Sequence, residues 1–152
     1  MSPHSDIQET MEGQTQSSQH NSLICLTITA FKKPSLSEEE YRYHMTKVHA
    51  KLVSPLMEEY GIVRYTMTHN TRETRSMLYQ LYDPQFSNQS DYDCIVQFIF
   101  KDILDFQRMK ADPRFLEKVA PDHLNFADTK RSTMTVGYFE EFVNDGKVVS
   151  KD

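Results

Sequence analysis

Apolar and polar positions along the chain predict four strands. The segments LICLTITAF (23–31) and YDCIVQFIF (92–100) are apolar on both faces, which is typical of strands buried on both sides. The segment IVRYTMTH (62–69) alternates with period two, and STMTVGYFEEF (132–142) is predicted to be the last strand. One face of the second strand then carries Val63, Tyr65, Met67 and His69.

A long helix is predicted between the first two strands. Ser37 and Glu40 have the spacing of a capping box, and Gly61 has the position of a helix terminator. We therefore expect a helix over about 37–60.

A second helical region follows the third strand. Asp102 is expected to cap one helix, and Asp112 with Pro113 to begin another. The stretch APDHLNFADT (120–129) reads as loop-like, and residues 70–91 allow a short helix or a broken strand. The order β-α-β-β-α-β predicts a ferredoxin-like α+β fold, an antiparallel sheet with helices on one face.

The helix-free face of this sheet should be apolar, because the strands at 23–31 and 92–100 are apolar on both faces. A large exposed apolar surface marks an interface. We therefore predict a homodimer with two sheets packed face to face, a dimeric α+β barrel.

His49 shares the inward face of the first helix with an apolar stripe. On a wheel of about 100° per residue, His44 lies at the edge of that face, nearer to solvent. An inward histidine can be a core residue that has found a partner, or a reactive group that faces a cavity. The stripe consists of Tyr41, Met45, Val48, Leu52, Leu56 and Tyr60.

Other polar side chains are expected close to His49, which favours the reactive interpretation. His69 ends the second strand, and His123 follows the last helix. Apolar walls with a few imidazoles and phenols suit a flat phenolic or keto ligand, and imidazole transfers protons near neutral pH. The predicted catalytic residues are His49, His69 and His123. The predicted substrate contacts are Tyr41, Tyr60, Tyr65, Met45 and Leu52.

Composition narrows the classes of function. The net charge of −5 and the pI of about 5.7 argue against binding to nucleic acid. Cys25 and Cys94 lie in apolar runs without CxxC spacing, which predicts neither a zinc site, nor a disulfide, nor a nucleophilic cysteine. The histidines lack close-spaced ligand motifs, so neither metal nor cofactor is expected.

Location and domain limits follow from the same composition. No apolar run is long enough to span a membrane and no secretory signal is recognised, so we expect a cytoplasmic protein. Residues 1–21 are polar and lack aromatics, which predicts a disordered arm. The folded domain is expected over 22–143, followed by a flexible tail at 144–152.

The segment FKKPSLSEEEYRYHMTKVHAKLV (31–53) resembles the opening of EthD-like proteins of the dimeric α+β barrel superfamily. Over 22–143 the chain is similar to a fungal subgroup assigned as decarboxylases of atrochrysone carboxylic acid in anthraquinone polyketide pathways. That similarity is carried by MEEYGIVRYTMTHNT, DYDCIVQFIF, DPRFLEKVAPDHLNFADT and RSTMTVGYFEEF.

The resemblance implies cofactor-independent loss of CO2 from an aromatic β-keto acid, with His49 as the family's histidine. As a hypothesis, His49 protonates the ketone oxygen and Tyr65 or His69 is a second donor. His123 would protonate the carbon or anchor the carboxylate. Dehydration or ring closure of a related intermediate, and non-enzymatic carriage of a phenolic intermediate, remain alternatives.

Overall fold

The computed structural model describes residues 22–81 and 83–150, and their central element is a four-stranded antiparallel sheet. The strands lie in the order β2-β3-β1-β4, and every neighbouring pair is antiparallel. The predicted ferredoxin-like α+β fold, with helices on one face of the sheet, is confirmed. The strands are β1 (Leu23–Ala30), β2 (Arg64–His69), β3 (Cys94–Phe100) and β4 (Thr133–Phe139).

Two long helical segments cover this sheet, and each contains a π-helical turn. The first consists of α1 (Glu38–Tyr43), a π-helical turn (His44–His49) and α2 (Ala50–Glu59). The second contains α4 (Ile103–Ala111), a π-helical turn (Phe115–Val119) and α5 (Ala120–Phe126). Between β2 and β3 lie α3 (Arg72–Met77) and a 3-10 turn (Leu78–Leu81).

The local signals for helix ends are largely confirmed. The Ser37 hydroxyl accepts a hydrogen bond from the Glu40 amide at 3.1 Å, and Gly61 has a φ of +79° just after the first helical segment. The 120–129 stretch was predicted to be loop-like, which is wrong for its first seven residues because they form α5. For residues 70–91 the sequence allowed a short helix or a broken strand, and the helix is correct because α3 lies there.

The core lies between the helices and one face of the sheet. Alternate residues of β1 and β3, among them Leu26 and Phe98, pack against helical residues such as Val53 and Met109. Phe100 is fully buried in this layer. Burial of an apolar side chain of this size contributes about 1.5–3 kcal/mol, so this layer holds the helices at a fixed position over the strands.

The first π-helical turn changes which residues face the core. The Ala50 amide donates to the Met45 carbonyl five residues back, so this turn contains more residues than an α-helical turn. Val48 is consequently 40% exposed, and the prediction that it faces inward is wrong. The buried residues of this segment are Tyr41, Met45, His49, Val53, Leu56 and Met57.

The helix-free face of the sheet is less apolar than predicted. One row across all four strands consists of polar residues, and Gln97 Nε2 donates to Thr27 Oγ1 at 3.3 Å within it. The neighbouring row contains Cys25 and Ile99, both buried. The polar row is Thr135, Thr27, Gln97 and Thr66.

The end of the chain has more regular structure than the flexible tail that was predicted for 144–152. Val143–Asn144 (β5) and Lys147–Val148 (β6) form an antiparallel hairpin. Asp145 and Gly146 both have positive φ, as a two-residue hairpin turn of type I′ requires. The predicted disordered arm at 1–21 lies outside the described residues.

Candidate active site

Asp122 lies at the centre of a hydrogen-bonded group between the two helical segments. Helix α5 positions its carboxylate, and the residue is 8% exposed. One oxygen, Oδ2, bonds to His49 Nδ1 at 2.8 Å. The other, Oδ1, bonds to His44 Nε2 at 2.9 Å and accepts from Asn125 Nδ2 at 3.0 Å. One carboxylate therefore orients two imidazoles.

These bonds define the protonation of the group. Burial by itself would raise the pKa of Asp122, but the bonds from Asn125, His49 and His44 together lower it. The carboxylate is thus ionised and can only accept hydrogen bonds, so both imidazoles must donate to it. His49 therefore carries its proton on Nδ1.

His49 consequently presents an unprotonated Nε2. Burial lowers the pKa of His49 and outweighs the opposing effect of Asp122, so the ring is neutral near pH 7. Within the described residues no hydrogen bond to this nitrogen occurs, and only the Tyr41 hydroxyl is both fully buried and unpartnered. His49 is 6% exposed, and the lone pair on its Nε2 gives it the chemistry of a general base.

His123 and Phe126 surround the base with rings. The His123 ring centroid lies 4.8 Å from that of His49, and the Phe126 centroid lies at the same distance on another side. Burial, followed by the neighbouring His49, lowers the pKa of His123 to about 4. His123 is therefore uncharged at neutral pH, which argues against its predicted use as a cationic carboxylate anchor.

His69 belongs to a different group. Its Nε2 lies 3.9 Å from the Cys94 sulfur, and its ring packs edge-on against Tyr41 with centroids 6.0 Å apart. Burial, with Arg42 adding to it, lowers the pKa of His69, and burial raises that of Cys94 to about 12. Phe126 contacts both Tyr41 and His49, so a phenylalanine ring lies between the two groups.

The other predicted substrate contacts are packed into the protein. The Tyr65 ring stacks on Phe98 at 5.0 Å, and Met45 is buried in the core. The Tyr60 hydroxyl donates to Asp112 Oδ2 at 2.7 Å, which places it in a structural bond. Leu52 is partly buried against the same core.

A groove opens beside the Asp122 group. His44 and Asn125, both bonded to Asp122, form part of its wall, and its volume is about 490 Å³. Volumes of 300 to 1,000 Å³ suit small organic ligands. Its remaining lining residues are Leu36, Glu39, Glu40 and Tyr43.

Sequence reasoning missed Asp122 and Asn125 and discounted His44. Asp122 directly precedes His123, but its stretch was taken for a loop, so no face could be assigned to it. A helical interpretation would have placed Asp122 and Phe126 on one face, four residues apart. That spacing was the available signal.

Two further features bear on the class of site. In the described part of the chain, no group of three His, Cys, Asp or Glu side chains could hold a metal ion. No helix in that part is long and apolar enough to cross a membrane.

The fold and the histidine-carrying helix define the class of protein. The EthD domain matches residues 33–130, and the chain belongs to the EthD-domain family. This match contains α1, the first π-helical turn and α5, and therefore the whole Asp122 group.

Curated relatives carry the names of two reactions. The chain is 86% identical to dehydratase aurZ of Gibberella zeae over 100% of both chains. It is 71% identical to a conidial pigment biosynthesis dehydratase of Metarhizium robertsii, over 85% of this chain and 91% of that one. It is 52% identical to decarboxylase claH of Passalora fulva, over 83% of this chain and 82% of that one.

Solved structures support the fold alone. A DABB-family protein of Mesorhizobium loti with a ferredoxin-like fold matches with a TM-score of 0.50 and 16% identity. The match covers 76% of this chain and 95% of that one.

Proposed function

We propose that this protein is a cofactor-independent lyase that removes water from an aromatic polyketide intermediate, with His49 as general base. The observation that supports this most is the neutral His49, whose Nδ1 proton is held by Asp122 and whose Nε2 has no hydrogen bond within the described residues. The names of the relatives at 86% and 71% identity point to the same reaction. The substrate class rests on the resemblance to the fungal polyketide subgroup.

The reaction follows from the position of the lone pair. His49 Nε2 removes a proton from the carbon next to a ketone, and the electron pair moves to the ketone oxygen as an enolate. The enolate then re-forms the ketone and expels the hydroxyl group on the β carbon. That hydroxyl takes the proton from the His49 imidazolium and leaves as water, while Asp122 stabilises the charged ring in between.

Decarboxylation of an atrochrysone carboxylic acid type of substrate is the second candidate. The 52% identical relative is named a decarboxylase, which favours it. This reaction needs a donor at the ketone oxygen while CO2 leaves, as the sequence hypothesis proposed for His49. In the resting tautomer Nε2 has no proton to give, so His49 would first have to be protonated. The geometry therefore favours dehydration.

Mass spectrometry of the product distinguishes these candidates. The purified protein is incubated with the β-hydroxy ketone and, separately, with the matching β-keto acid. Loss of water supports the first proposal and loss of CO2 the second. Stoichiometric binding without conversion would instead support the alternative of a non-enzymatic carrier. His49→Gln should lower the rate about 10²–10⁴-fold for either reaction.

We also propose that the protein forms a homodimer through the helix-free face of the sheet. A row of uncharged polar residues crosses all four strands on this face, and a two-fold dimer is the commonest assembly. Light scattering should give twice the chain mass, and Thr27→Arg in the middle of this face should give a monomer. Met134→Arg, on the opposite face of edge strand β4, is the matched control and should remain dimeric. A monomeric wild-type protein would contradict this proposal.

The cytoplasmic location expected from the sequence remains a proposal as well. A fluorescent fusion of the full chain, imaged in a fungal host, should show diffuse signal. Enrichment in vesicles or at a membrane would refute it.

A further inference from the structure

The Tyr41 hydroxyl is buried without a hydrogen-bond partner. The residue is 2% exposed, and within residues 22–81 and 83–150 its hydroxyl is the one fully buried side-chain polar atom that lacks a partner. An unsatisfied buried donor destabilises a protein, so such groups in native structures call for an explanation. A ligand oxygen that accepts from this hydroxyl would supply one.

Tyr41 and His69 line a narrow cleft, which we call the Tyr41 notch. Its volume of about 10 Å³ is at the lower limit for holding one water molecule, so it accommodates a single oxygen and no ring. Burial raises the pKa of Tyr41 far above its ordinary value, so its hydroxyl remains a donor at any physiological pH. The notch residues are Lys32, Glu38, Tyr41, Arg42, His69, Asn70, Thr71 and Asp93.

Two carboxylates and two cations line the Tyr41 notch. Its two carboxylates, Glu38 and Asp93, both pair with Arg75, at 3.6 and 3.5 Å. Lys32 and Arg42 have no ion pair in the described part of the chain. Arg42 lies close enough to His69 for its charge to lower the pKa of that imidazole. The notch therefore contains two cations without an ion pair, while the charge of Asp93 adds to burial in raising the pKa of the Tyr41 hydroxyl.

We propose that the Tyr41 notch binds an anionic oxygen of the substrate, a carboxylate or a phenolate, with Tyr41 as donor and Arg42 as counter-charge. The substrate class rests on the proposed function. Tyr41 lies 6.2 Å from Phe126, and Phe126 lies 4.8 Å from His49, both measured between ring centroids. The notch is thus one ring away from the proposed base and holds a part of the molecule that does not react.

Direct binding measurements test the notch without requiring turnover. The probes are naphthoate, which has only a carboxylate, and naphthol, which has only a hydroxyl. Their own fluorescence reports binding, because the chain contains no tryptophan. Arg42→Gln should weaken naphthoate binding about tenfold, as expected for loss of a charge-assisted contact, and should change naphthol binding much less. If phenolate is the preferred anion, the larger loss should instead be for naphthol, above its own pKa.

Tyr41→Phe separates ligand binding from structural support. Since the hydroxyl has no partner in the empty protein, its removal should leave the Tm unchanged or raise it. The same variant should weaken the binding of both probes several-fold. A lower Tm with unchanged binding would mean that Tyr41 is only structural, and would overturn the proposal.

Two controls separate this inference from the proposed reaction. Arg108→Gln removes an exposed arginine that pairs with Asp105 at 2.5 Å, and it should bind both probes as wild type does. Asp122→Asn should lose turnover but keep naphthoate binding. The proposal would be refuted if Arg108→Gln and Arg42→Gln weakened naphthoate binding equally, or if the wild-type protein showed no saturable binding. Loss of turnover alone would bear only on His49.

Discussion

Replacing Asp122 with asparagine tests the proposed base most directly. The amide has the shape of the carboxylate but offers one acceptor oxygen and one NH2 donor. If the NH2 replaced Oδ1, it would face donors from both His44 and Asn125. If it replaces Oδ2, it faces only the N–H of His49. The second arrangement has fewer conflicts, so we expect His49 to move its proton from Nδ1 to Nε2.

That change of tautomer removes the lone pair on which the mechanism depends. Loss of a general base lowers kcat about 10²–10⁴-fold, which corresponds to about 3–5 kcal/mol of activation free energy. Steady-state turnover by liquid chromatography measures the loss. Nitrogen chemical shifts of the His49 ring report the tautomer independently.

Asp112→Asn is the matched control for this substitution. Asp112 is also buried and also bonded, in its case to Tyr60 and Arg114, but it lies outside the Asp122 group. This variant should have a lower Tm and an unchanged kcat. If folded Asp122→Asn retained turnover within about threefold of wild type, Asp122 would not control the tautomer and the assignment of His49 as base would be wrong.

Three further outcomes are expected. The value of kcat/KM should fall at acidic pH with an apparent pKa below 6.5, because His49 acts only when neutral and its pKa is lowered. A pH–rate profile checks this, and an acidic limb with an apparent pKa above 7 would contradict it. The free energy of unfolding should decrease as pH falls from 6.5 towards 4, because His123 binds its proton more readily in the unfolded chain. In urea titrations this decrease should be about 2–3 kcal/mol smaller for His123→Asn than for wild type, and an equal decrease would argue against the role of His123. In the same urea assay, Leu56→Ala should lower the free energy of unfolding by about 2–5 kcal/mol and Val48→Ala by at most about 0.5 kcal/mol. Similar decreases for the two variants would mean that Val48 does face the core.

The sheet could be predicted from the sequence because each strand carries its own signal. Period-two alternation predicted that Val63, Tyr65, Met67 and His69 share one face. Burial confirms this for the last three, whereas Val63 precedes β2 and is 51% exposed. Capping interactions involve only residues that are close in sequence, so Ser37 and Gly61 were sufficient to predict the limits of the first helical segment. The hairpin at the end of the chain was missed because its aspartate–glycine turn lies between strands of only two residues.

The site was harder to predict because its residues meet only in the folded protein. His49 could be placed on an inward face from the helical period, and its inward position is confirmed. Its partner Asp122 is 73 residues away along the chain, and no local pattern joins them. His69 and His123 were expected in one layer with it. His123 does lie beside His49, whereas Phe126 lies between His49 and the His69 group.

The π-helical turn at His44–His49 has a consequence for how the chain tolerates changes in length. The turn holds one residue more than an α-helical turn, so deleting one residue from it would restore a regular helix that advances by about 100° per residue. Tyr41 and Val53 would then be eleven residues apart, a rotation of three full turns plus about 20°, so both would still face the sheet. The widened turn therefore absorbs one extra residue without changing the face that α2 presents to the core. A scaffold that borrows this helix can therefore use either the widened turn or a regular helix that is one residue shorter.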